Sequence, residues 1–146
     1  MQIPSVLKES SKLYYMDGYK YQQKKEHFLI KMGFAPDKDI ITKYGCFLAN
    51  GWIIIWKGYA WDGASGPTYD SKNSMIGSLV HDFLYQLMRD GLLLRSFRKK
   101  ADLAIYYLVR RDGMNWFRAK YWYTGVRIGA GKHVKASAKK KMLSAP

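Results

Sequence analysis

His81, Asp82 and Tyr85 share a His-Asp-x-x-Tyr spacing inside a segment of helical period, and one carboxylate, Asp102, follows in the next such segment. A histidine held by a carboxylate through one ring nitrogen keeps the other nitrogen as an acceptor, the arrangement that deprotonates water for attack on an ester or amide. Asp102 lies on the flank of an apolar side, one turn from Tyr106. There it is desolvated unless it finds a donor. An antiparallel pairing of the two helices would supply that donor as the His81 imidazole or the Tyr85 hydroxyl. Asp82 points about 100° further round its helix, where it would be placed to bind a cation. A hard ion such as Ca²⁺ needs several oxygen ligands, and Asp62-Gly63-Ala64-Ser65-Gly66, just upstream, is a glycine-rich loop able to turn carbonyls inward. The metal would polarise a carbonyl and stabilise the oxyanion. Asp62 has three readings: a third metal ligand, a cap for the loop at 63–65, or a partner for a helix N-terminus. A plainer reading covers the same residues. Ser78, His81, Asp82 and Tyr85 project away from the apolar stripe, as polar residues do on any surface helix, and Asp102 can serve a structural ion pair.

The elements that must position these groups follow from periodicity. In the segment beginning near residue 71, Ile76, Leu79, Val80, Phe83, Leu84 and Leu87 form one stripe, and Asp90-Gly91 ends it. A second helix is predicted over 96–111, with Phe97, Ala101, Ala104, Ile105, Leu108 and Val109 inward and Asp112-Gly113 as the stop. A third, shorter helix is predicted over 116–126. Upstream, 19–22, 27–32 and 40–42 read as strands. The clearest pair is a hairpin, 46–48 and 52–56, about Ala49-Asn50-Gly51, because Asn-Gly tolerates positive φ. Residues 58–70 are too rich in glycine and turn formers for regular structure and are expected to be a loop. The fold class is α+β: N-terminal antiparallel hairpins or sheet, then two or three helices carrying the His-Asp…Asp site. Residues 1–130 form one domain and 131–146 a mobile basic tail.

Composition sets the outer bounds. A chain of 146 residues with 48% apolar content suits one domain. A single cysteine, Cys46, excludes an intramolecular disulfide and a cysteine-rich zinc site, and reads as a small buried apolar residue. The longest apolar run, 51–56, falls far short of the roughly 18 residues of a membrane span, and residues 1–11 lack the apolar centre of a secretory signal. Synthesis in a cytoplasm is the expectation. The net charge is +14. From Arg95 onward there are 14 basic and two acidic residues, against 11 and nine before it. That field suits anionic phospholipid, nucleic acid or an acidic protein surface. His27 reads as a satisfied or surface histidine. The cluster Trp116, Phe117, Tyr121, Trp122 and Tyr123, interleaved with Arg118 and Lys120, is read half as core and half as an interfacial belt.

The order of a glycine-rich loop with Gly66-Pro67, then His81-Asp82-Phe83-Leu84-Tyr85, then Ala101-Asp102, resembles the phospholipase A2 superfamily, and most of all its disulfide-free form in parvovirus capsid proteins. A broader likeness joins 58–67, 81–85, Arg98-Lys99-Lys100-Ala101-Asp102 and Val126-Arg127-x-Gly129 to a family of small proteins encoded by tailed phages and prophages. That family's pattern is Gly-Phe-x-x-Asp-x-Ala-Ser-x-Pro, His-Asp-x-Leu-Tyr and Arg-x-x-Ala-Asp; here Tyr59 replaces the phenylalanine.

The phospholipase likeness implies His81 as general base, Asp102 as its partner and Tyr85 as a hydrogen-bond donor to Asp102. It also implies a calcium site of Asp82 with groups of Gly63, Ser65 and Gly66, to which Asp62 is a possible addition. The loop departs from the Gly-Cys-Gly arrangement of secreted phospholipases. The expected function is calcium-assisted hydrolysis of membrane lipid esters at phage entry or release. The alternative is a non-catalytic tail or capsid component, incorporated in the virion beside other virion proteins, whose basic tail binds a polyanion. Nucleic-acid binding follows from charge alone, with no reading motif.

Overall fold

In the computed structural model the described residues are 9–10, 15–18, 20–23, 27–61 and 72–129, with the backbone alone for 15–18 and 20–23. The described residues run through seven short strands and then three helices, an α+β fold. Strands β3 (Phe28–Lys31), β4 (Ile40–Ile41), β5 (Gly45–Phe47) and β6 (Trp52–Ile55) form an antiparallel sheet in the order β3-β6-β5-β4. β1 (Tyr15–Gly18), β2 (Lys20–Gln23) and β7 (Ala60–Trp61) form a second, three-stranded antiparallel sheet.

The β5–β6 hairpin closes where its sequence places it. Gly51 adopts φ 96°, and Leu48 and Trp52 are joined by an N–H···O bond of 2.8 Å. Alternation then sorts the side chains by face. Phe28, Ile30, Phe47, Ile53 and Ile55 enter the main core beneath the helices, while Leu29, Cys46, Leu48, Ile54 and Trp56 form a separate cluster. Cys46 is fully buried in that cluster, and burial pushes its thiol up to about 11. His27 is satisfied: its Nδ1 accepts the Lys57 N–H at 3.1 Å, and its ring meets Trp56 edge-on.

Helices α1 (Met75–Arg89) and α2 (Arg98–Arg111) end beside the two Asp-Gly stops, each preceded by a single 3-10 turn, Lys72–Ser74 and Arg95–Phe97. α3 (Trp116–Gly129) runs three residues beyond its expected end. The register of α1 on α2 is antiparallel: Gly77 lies against Ile105 and Val109, and Tyr85 reaches Asp102. A Cβ on Gly77 would stand 2.9 Å from Val109 Cγ1, so the hydrogen side chain is what lets the two backbones approach this closely.

Three sequence expectations are corrected. The side of α1 bearing Ser78, His81 and Tyr85 does not face solvent: these residues are buried, with Asp82 the partly exposed member of the group. α1 lies between sheet and α2, so both of its sides meet protein, and its polar groups are satisfied internally. Trp61 Nε1 donates to Ser78 Oγ at 3.1 Å, Ser78 donates to the Met75 carbonyl, and Tyr59 donates to Gln86 Oε1 at 3.0 Å. Within 58–70, Ala60–Trp61 is a strand, because its backbone pairs with Tyr21 and Gln22. In the C-terminal aromatic cluster Trp122 alone is fully buried, beside half-buried Tyr123, while Trp116, Phe117 and Tyr121 are exposed. The inner face of α3 is narrow: Ala119, Trp122 and Val126 fill it. Residues 62–71 and the tail at 131–146 lie outside the described residues.

Candidate functional site

The antiparallel α1–α2 pair sets His81 and Tyr85, one turn apart on α1, opposite Asp102 in the first turns of α2. His81 Nε2 lies 2.8 Å from Asp102 Oδ1, and the Tyr85 hydroxyl donates to the same oxygen at 2.5 Å. The His81 and Tyr85 rings lie 4.1 Å apart, centroid to centroid, and tilted, so each restrains the other. Asp102 is fully buried and His81 is 3% exposed.

The second carboxylate oxygen belongs to α3. Arg127 Nη1 donates to Asp102 Oδ2 at 2.8 Å. Arg98, one turn before Asp102 on α2, has its Nε 3.8 Å from Oδ2 and donates from that nitrogen to the Tyr85 hydroxyl at 3.1 Å. Its Nη2 caps the end of α3, donating to the carbonyls of Val126 at 3.1 Å and Arg127 at 2.7 Å. A cation at a helix C-terminus also meets the negative end of the helix dipole. One carboxylate therefore ties together three helices.

Electrostatics fix the protonation of the cluster. Burial alone would raise the Asp102 carboxyl, but hydrogen bonds from His81, Tyr85 and Arg127 outweigh it and hold the group below the usual carboxylate range. Burial, reinforced by the Asp102 charge, pushes the Tyr85 phenol well above its ordinary value, so it remains a donor. The hydrogen bond to Asp102 raises Arg127 still further. An ionised carboxylate only accepts, so the ring carries a hydrogen on Nε2, and a neutral imidazole held this way presents its lone pair at Nδ1. Among the described residues Nδ1 has no hydrogen-bond partner.

His81, Asp102 and Tyr85 thus come together. Asp82 is half-buried on α1, next to His81 in the chain. Asp62, Gly63, Ser65 and Gly66 lie outside the described residues, and among the described residues no three His, Cys, Asp or Glu side chains converge as metal ligands. The oxygen chemistry of Asp82 suits calcium, but one carboxylate does not make a site by itself. Sequence reasoning assigned no role to Arg98 or Arg127. Arg98 carried a signal, its i,i+4 spacing to Asp102; Arg127 carried none in its local sequence.

Comparison of the chain with known protein families, with curated proteins and with solved structures found no match.

Proposed function

We propose that the protein is a phospholipase A2-like hydrolase of membrane lipid esters, encoded by a tailed phage. The observation that carries this reading is the His81–Asp102 bond of 2.8 Å made through Nε2, which leaves Nδ1 as the base. Nδ1 takes a proton from water as the oxygen attacks the ester carbonyl carbon. The imidazolium that forms is stabilised by Asp102, and its proton passes to the departing alkoxide when the tetrahedral intermediate collapses to fatty acid and lysolipid. Tyr85 and Arg127 act through Asp102, so they are positioning residues. Calcium, held by Asp82 and by groups of Gly63, Ser65 and Gly66, would supply charge stabilisation at the carbonyl oxygen.

Incubating the protein with mixed phospholipid vesicles and calcium should release fatty acid, and His81→Gln should abolish the release while leaving a cooperative melt. Absence of release from the unaltered protein, or release that survives the substitution, overturns the reading.

A second reading has its own support. Asp102 binds α1, α2 and α3 at once and His81 is almost wholly buried, as expected of a polar staple in a tail or capsid component. On that reading His81→Gln lowers the melting temperature, there is no catalysis to lose, and the protein co-purifies with particles.

A further inference from the structure

Helix α3 is apolar on two sides. Its inner side, Ala119, Trp122 and Val126, completes the core. Its outer side carries Phe117, Tyr121, Thr124 and Ile128, spaced i, i+4, i+7 and i+11, which is a second continuous stripe at 100° per residue. Phe117 is 77% exposed, Ile128 82% and Tyr121 48%. Trp116 flanks the stripe on one side with Lys120 Nζ 4.9 Å from its ring centroid, and Arg118 lies along the opposite side. Single exposed apolar residues are ordinary, but three large ones in register on one helix are not.

Charge selects what covers this stripe. From Gly113 to Pro146 the sequence has eight Lys and Arg and no Asp or Glu. The carboxylate nearest in sequence, Asp112, is engaged by Arg111 at 3.0 Å. A second copy of a chain with net charge +14 would bring like charges together along the margins of the stripe. An anionic bilayer offers the opposite. Its interface takes Trp, Tyr and Phe at headgroup depth while lysine and arginine meet the phosphates, each basic side chain near the surface adding attraction. We propose that the outer face of α3 is a docking surface for anionic lipid bilayers, with Phe117, Tyr121 and Ile128 entering the headgroup region and Arg118 and Lys120 pairing with lipid phosphates.

This surface is separate from the hydrolytic chemistry, and the test keeps the two apart. The His81→Gln protein, in which no lipid is consumed on the reading above, is sedimented with vesicles of phosphatidylcholine alone and of phosphatidylcholine with phosphatidylglycerol. Binding is expected only to the anionic vesicles. Changing Phe117, Tyr121 and Ile128 together to Gln should weaken it at least tenfold without lowering the melting temperature, since these side chains are exposed. Arg118→Gln with Lys120→Gln should weaken it several-fold and flatten its dependence on salt. Failure of the protein to bind anionic vesicles refutes the proposal. So does undiminished binding by the triple variant, which would assign attraction to the tail lysines alone. If the triple variant instead turns a dimer into a monomer with vesicle binding unchanged, the stripe is a self-association face and the proposal falls. Absence of hydrolysis by the unaltered protein, with binding intact, would overturn the enzymatic reading and leave this one in place.

Discussion

Replacing Gly77 by Ala tests the close approach of α1 and α2 that brings His81 to Asp102. The added Cβ would lie 2.9 Å from Val109 Cγ1 and 3.3 Å from Ile105 Cγ1, where ordinary carbon contacts are about 3.5–4.0 Å. Relief therefore needs a shift of roughly 0.6 Å or more, against a β-branched side chain whose χ1 is stiff. Overpacking of this kind costs about 1–3 kcal/mol, while alanine in a helix gains about 1 kcal/mol over glycine. A second glycine isolates the first term. Gly125, in α3, has nothing within 4 Å of the position a Cβ would take, so Gly125→Ala should show the propensity gain alone. The difference between the two variants is then the clash itself, about 1–3 kcal/mol, or roughly 2–12 °C in melting temperature for a chain of this size. Thermal and urea melts followed by circular dichroism measure it. If Gly77→Ala proves as stabilising as Gly125→Ala, the helices are not packed as described, and the positioning of the histidine loses its basis.

Other consequences concern the charged network. Asp102→Asn, which leaves the partly buried Arg127 and Arg98 without their counter-charge, should cost about 3 kcal/mol or more and lower the melting temperature further than His81→Gln does. Because the folded-state pKa of Asp102 is depressed, its contribution is complete above the ordinary value of 3.8 and is lost as pH falls through the lower folded value; an acid titration of stability should be flatter in Asp102→Asn. Tyr85 has the opposite sign. Its raised phenol contributes fully below the ordinary value of 10.0 and loses that contribution as pH rises beyond it, so Tyr85→Phe should remove part of the alkaline loss. Cys46, buried and with its thiol raised to about 11, should resist thiol reagents at neutral pH until urea unfolds the chain.

Much of the scaffold was legible because its signals are local. The Asn50-Gly51 turn, the two Asp-Gly stops and the period of the apolar residues in α1 and α2 each depend on neighbours in sequence. Strands β1 and β7 were not legible: four and two residues long, they exist through pairing with β2 rather than through alternation of their own. The polar side of α1 was misassigned for a related reason. Polar residues opposite an apolar stripe signal solvent only when nothing covers them, and here Trp61 and Asp102 arrive from distant positions to satisfy Ser78, His81 and Tyr85. Pairing of His81 with Asp102 could be anticipated from a carboxylate stranded beside apolar residues. Arg127 could not, since it reaches Asp102 from a different helix at a separation of 25 residues. The expected split of the aromatic cluster also missed that α3 has room for few side chains on its inner side.

The attachment of α3 through Arg98 and Arg127 couples the last turn of that helix to the deepest carboxylate among the described helices. Terminal turns ordinarily fray with little free-energy cost, and their amides exchange quickly. Here, opening that turn would strip Asp102 of a counter-ion and loosen the anchor on Tyr85 in the same event. Disorder at the end of α3 would thereby be transmitted to α1, and the three helices should melt as one cooperative unit rather than from the outside inward.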